Sequence, residues 1–175
     1  MRRLIVVAVI ALVAIGALLG LREALKRPAG PTEAARPKPV RVVTLYFGTE
    51  DASSLKAEPF EIKAEESDLA GLSGVVEALV AGPTGGGIAL CPSGTAVRGV
   101  YINDKVAYVD FSREIVDNFT GGSAGERMLV SSLVQTICAN FPEVEAVKIL
   151  VEGREIETIG GHLDVSGALR PTNWR

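Results

Sequence analysis

Apolar residues fill the stretch from Leu4 to Leu21 without a single charge, and after it they return only in short periodic runs. At 1.5 Å per residue the stretch makes a helix of roughly 27 Å, enough to cross a thin hydrocarbon core. Residues 1–27 therefore read as one N-terminal transmembrane helix, a membrane anchor or signal-anchor. The competing reading is a cleaved signal peptide, since Arg2 and Arg3 precede the stretch and Ala14-Ile15-Gly16 resembles a small-residue cleavage site. Arg22, Lys26 and Arg27 crowd its far end and it exceeds the usual signal core, which favours retention. No Cys lies near its end, which speaks against a lipid-modified N-terminus. Residues 28–39, with Pro28, Pro31, Pro37 and Pro39, cannot continue a helix and carry almost nothing to bury, so they read as a linker.

The periodic runs begin at residue 40. Val40 to Phe47 is β-branched and aromatic, with Val43, Leu45 and Phe47 on one face, and predicts a strand. Phe60, Ile62 and Ala64 alternate with charged residues, as in a strand wet on one side, and the polar run from Gly48 to Pro59 predicts a loop. Leu69, Leu72, Val76, Leu79 and Val80 recur at helical spacing until Gly82-Pro83. Val97 to Ile102 and Val106 to Phe111, joined by Asn103-Asp104-Lys105, predict a hairpin. A second helix from about Ala124 to Asn140 carries Val130, Leu133, Val134, Ile137 and then Phe141. Val144 to Val151 predicts a last strand, with a weak partner at Glu155 to Ile159. The order implies an α+β domain over residues 40–169, a small mixed β-sheet with two helices packed on one face, followed by a tail at 170–175.

Charge narrows the class of partner. The chain has 18 basic and 21 acidic residues, a net charge of -3, and several of the basic residues flank the anchor, so the domain itself is more acidic. That balance argues against nucleic acid. The charge rule leaves the orientation of the anchor open, because Arg2 and Arg3 are nearly matched by Arg22, Lys26 and Arg27. A short N-terminus before a large domain, together with two cysteines, favours the extracytoplasmic, periplasmic side of the cytoplasmic membrane.

Local chemistry is sparse. Gly121-Gly122-Ser123-Ala124-Gly125-Glu126 opens the second helix, but it lacks the Lys of a phosphate loop and does not follow a strand. Ser123 and Glu126 fit a capping box better. His162 is the only histidine, so any base or metal site has a single such candidate. A triad of Ser123, Asp110 and His162 can be written, without a nucleophile elbow to support it. An even count outside the cytoplasm favours a Cys91–Cys138 disulfide over two buried thiols. Asn118-Phe119-Thr120 matches a glycosylation sequon, a weak signal in isolation.

Ala81-Gly82-Pro83, Pro92-Ser93-Gly94-Thr95, the strand Val106 to Ser112, Gly122 to Glu126 and Gly161-His162 occur in an order that resembles the GerMN domain family of sporulation and spore germination proteins. The resemblance implies a small α+β domain without catalytic activity on envelope proteins. It supplies no catalytic residue to carry over, and neither a cofactor nor a metal is expected. The partner it implies is an envelope protein; the polar loops add cell-wall glycan as a further choice, and oligomerisation is left open. The polar, Gly-rich loops nominate Ser93, Gly94, Thr95, Gly122, Ser123, Glu126, His162 and Asp164 for binding. The alternative is an envelope hydrolase using His162 with Ser123 or Asp110.

Overall fold

The computed structural model describes residues 39–51, 53–65 and 67–174. The apolar stretch at 4–21 and the linker up to Lys38 lie outside the described residues. Among the described residues no helix is long and apolar enough to cross a membrane. Pro39–Arg175 gather into one compact unit.

The strands are β1 (Val40–Gly48), β2 (Leu55–Lys63), β3 (Val97–Asn103), β4 (Val106–Phe111), β5 (Ala146–Val151) and β6 (Arg154–Glu155). The helices are α1 (Asp68–Ala81), the single turn α2 (Glu114–Asp117) and α3 (Gly122–Asn140), and a 3-10 turn spans Pro171–Trp174. The α+β class stands, but the strands form two sheets where one was expected. β1 and β2 pair antiparallel by themselves, and β3-β4-β5-β6 make a four-stranded sheet in which β4 and β5 run parallel.

The division has a physical cause at the second edge of β1, which is closed by the side chains of α3 instead of another strand. The Thr44 N–H donates to Asn140 Oδ1 at 3.0 Å, and Asn140 Nδ2 donates to Thr44 O at 2.6 Å. The Tyr46 N–H donates to Thr136 Oγ1 at 3.0 Å, and the Ser132 hydroxyl donates to Tyr46 O. Gly48 completes the row by exchanging backbone bonds with Ile88. Ser132, Thr136 and Asn140 follow one another at four-residue spacing, so they share one helix face and meet alternate residues of the strand. Thr44 spends both backbone groups on Asn140, so Pro59, its partner across β2, is not asked for the N–H it lacks. Pro59 thus sits within a strand that runs through much of the predicted loop.

The expected apolar faces are largely those observed. Val43, Leu45 and Phe47 of β1 join Leu72, Val75, Val76 and Leu79 of α1 and Val130, Leu133, Val134 and Ile137 of α3 in one core. Leu69 departs from its predicted stripe and is 46% exposed. Ser67 caps α1 by accepting from the Ala70 N–H, and Gly82 ends it at φ +93°. The hairpin turns on Asp104 and Lys105, both at positive φ, the arrangement whose twist suits a two-residue connection. β5 is buried throughout because the C-terminal segment covers what the helices do not. Leu169 bridges Val147, and the buried Lys148 donates to Ser166 O and pairs with Glu155 at 3.2 Å.

Candidate functional site

Three of the nominated loops converge at the N-terminal end of α3. The side chain that joins them is Phe119, which follows α2 and is partly buried. A Cβ on Gly160 would fall 2.5 Å from Phe119 Cε1, and one on Gly121 would fall 2.9 Å from its Cζ. These glycines are there because the ring occupies the space a side chain would need. Asn118 Nδ2 donates to Ser93 O at 2.8 Å, tying the loop after Cys91 to the turn before α3. The amide of the apparent sequon is thus a clamp between loops. A cavity of about 240 Å³ opens here, lined by Cys91, Pro92, Phe119, Thr120, Gly121 and Gly125 among others.

Glu126 completes the junction from below and corrects the capping-box expectation. Gly121 caps α3 without any side-chain hydrogen bond, and Ser123 is exposed. Glu126 is fully buried and receives the loop at 158–162. Its Oε1 accepts from Thr158 Oγ1 at 2.6 Å, Ile159 N at 2.8 Å and Gly160 N at 2.7 Å, while Oε2 accepts from His162 N at 2.9 Å. Burial alone would push this carboxyl up, but the donors from Gly160, Thr158, His162 and Ile159 outweigh it and hold it below the usual range. Four donors on one carboxylate leave no role as a catalytic acid; it is the internal anchor of a loop.

Beyond that anchor, Glu157, Thr158, His162, Asp164 and Ser166 border an open cavity of about 450 Å³. Asp164 is drawn into the loop's own turn, where the Ser166 hydroxyl and N–H both donate to Oδ1 and lower its pKa. The other nominated residues divide. Ser93 takes part through its carbonyl, Gly94 lies against Glu114 and Asn118 at φ +84°, and Gly122 adopts φ +61° as it opens α3. Thr95 is buried, and its hydroxyl has no hydrogen-bond partner among the described residues.

The triad written from the sequence is not assembled. Asp110 lies on β4, where it accepts from Arg98 Nε at 3.3 Å and from Gly153 N at 2.7 Å. Among the described residues no hydrogen bond connects His162 to Ser123 or Asp110, and no three His, Cys, Asp or Glu residues gather to hold a metal.

The expected disulfide is corrected too. Cys91 and Cys138 are both free. Cys91 lies beside Gly121 and Gly125 at the start of α3, whereas Cys138 belongs to its last turn. About 13 residues of helix separate Gly125 from Cys138, roughly 20 Å at 1.5 Å per residue, about three times the Cα separation a disulfide tolerates. Burial pushes the Cys91 thiol up to about 12 and that of Cys138 to about 11, so neither is a ready nucleophile.

Sequence patterning does not mark Phe119 or Thr158 as site residues, and it marks Asn118 only as the acceptor of a glycosylation sequon. The signal available for Phe119 is its place among glycines, which in one dimension reads only as a flexible loop.

The chain is similar to known proteins in sequence and in fold. The family model Germane, described as sporulation and spore germination, matches residues 44–157, well over half of the chain. A Clostridium perfringens protein assigned as a lipoprotein, whose crystal structure was solved at 2.5 Å, is 26% identical with a TM-score of 0.56, over 77% of this chain and 89% of that one. The first GerMN domain of the Bacillus subtilis sporulation protein GerM is 24% identical with a TM-score of 0.61, over 75% of this chain and 98% of that one. The tandem GerMN domains of the same protein give 23% identity and a TM-score of 0.65 over 77% of this chain, which spans 48% of the tandem. No protein with a curated description matches.

Proposed function

The chain belongs to the Germane family of sporulation and spore germination domains, and from that premise we propose that it is a non-catalytic binding or assembly module of the cell envelope. The N-terminal hydrophobic segment holds it at the cytoplasmic membrane in a single pass, with the domain on the extracytoplasmic side. The observation that carries the reading is the junction of loops around Phe119 and Glu126. Its polar groups hold one another in place instead of being aimed at a reacting atom, which builds a fixed surface of loops on a rigid scaffold. The presented groups are the exposed Ser93, Ser123, His162 and Asp164, and the occupant is an envelope protein, with wall glycan second. The Clostridium perfringens relative supports an envelope location, being assigned as a lipoprotein. The hydrolase alternative finds no support in the separate engagements of Asp110 and His162.

A photo-crosslinking residue at Ser123 in intact cells tests the surface. A discrete crosslinked envelope protein, or retention of the domain on isolated wall material, is the expected result. Absence of both overturns the reading. Protease added outside intact spheroplasts digests the domain if it faces out; full protection reverses the topology.

A further inference from the structure

A sheet edge left open in a folded domain is a template for another strand, and among the described residues the outer edges of β2 and β3 are defended unequally. The outer edge of β2 is broken by Pro59 and carries exposed Lys56, Glu61 and Lys63. β3 is the terminal strand of the four-stranded sheet. It has a bulge at Arg98–Gly99. Beyond it the run Val100-Tyr101-Ile102-Asn103 contains neither charge nor proline.

α1 borders this strand, and between them lies a groove of about 550 Å³. Its apolar lining is Leu69, Ala70 and Gly74 of α1 with Val100 of β3; Glu65 and Glu77 supply its charge, and no basic residue lines it. Glu65 is held by Lys63 at 2.8 Å and Glu77 by the Ser73 hydroxyl at 2.8 Å, each through Oε1.

Gly74 is the telling residue. Glycine within a helix is destabilising relative to alanine, so it needs a reason. Packing inside the domain does not supply one, because a Cβ there would meet only Ile62 Cδ1, at an ordinary 3.9 Å. What the missing side chain does is keep the groove open. Leu69, turned out of the helix's apolar stripe to 46% exposure, serves the same space.

We propose that the groove between α1 and β3 receives an extended segment of a partner protein that bears a lysine or arginine. The segment adds alongside β3 through main-chain hydrogen bonds, packs an apolar side chain against Leu69, Gly74 and Val100, and sets its cation against Glu65 and Glu77. Charge complementarity chooses this occupant over an acidic or neutral one. The surface is separate from the loop junction, so the two readings stand or fall independently.

The test uses the full chain in detergent with a blocked peptide of alternating valine and lysine, and the valine–glutamate counterpart as control. The lysine peptide is expected to perturb the backbone amides of Leu69, Ser73 and Val100. Its affinity should fall about tenfold or more in Gly74→Gln, which fills the groove, and in the double variant Glu65→Lys/Glu77→Lys. The charge-matched control Glu143→Lys/Glu152→Lys, at exposed positions elsewhere, should stay within about threefold. Matching circular dichroism spectra establish that the variants are folded. Equal binding of the glutamate peptide, perturbations confined to other surfaces, or no binding of either peptide overturns the proposal. Self-association without peptide that Gly74→Gln abolishes also overturns it, because the occupant is then a second copy.

Discussion

Gly160, Glu126 and the two cysteines show how much a single position depends on neighbours far along the chain. A methyl group at Gly160 would enter the ring of Phe119, so Gly160→Ala should cost about 1–3 kcal/mol in chemical denaturation. Gly167→Ala, where a Cβ would meet nothing within 4 Å, should stay within about 0.5 kcal/mol. Glu126 makes a prediction in pH. Its carboxyl is held below the ordinary value of 4.5, so its contribution is fully present above that value and is lost as pH falls through the lowered one. The stability difference between wild type and Glu126→Gln should therefore shrink as the pH is taken from 6 toward about 3. A difference that stays constant over that range would remove the charge from the explanation. For the cysteines, unfolding without reductant should release two titratable thiols, and iodoacetamide at about pH 8 should label the native protein far more slowly than the unfolded one. Recovery of fewer than two thiols would restore the disulfide.

Elements whose apolar residues repeat at a fixed period are legible in the chain's own spacing. Val43, Leu45 and Phe47 lie on one face because strand side chains alternate, and the stripe of α3 is buried as its spacing implies. The polar face of the same helix is not legible in that way. Ser132, Thr136 and Asn140 stand at helical spacing, which in one dimension reads as a solvated stripe, yet they close the edge of β1. Thr136→Val, which keeps the shape and removes the acceptor, should cost about 1–3 kcal/mol by leaving the Tyr46 N–H unpaired. It should also speed exchange of the Tyr46 amide. An unchanged exchange rate would show that water or a shifted neighbour takes over the bond. The capping box fails at this scale for a related reason. Ser123 and Glu126 have the right spacing, but the amides of the loop at 158–162 outcompete the helix N-terminus for the carboxylate.

At the scale of the molecule, core side chains from Val43 to Leu169 belong to one connected cluster. Residues 39–175 alone should therefore unfold in one cooperative transition, seen as coincident far-ultraviolet dichroism and fluorescence curves. Two separated transitions would mean that the two sheets are independently stable. The α+β class, the hairpin at Asn103–Lys105, the apolar faces and the order of motifs that resembles the family are all specified by the amino-acid order, because each is written in spacings of a few residues. The division of the strands into two sheets, the helix length between Cys91 and Cys138, the anchoring of a distant loop by Glu126, and the meeting of Ser93, Gly121 and Gly160 around Phe119 come only with tertiary packing. These depend on which distant groups reach a given backbone edge or carboxylate first and bury it best. That competition is resolved only when the whole chain is packed.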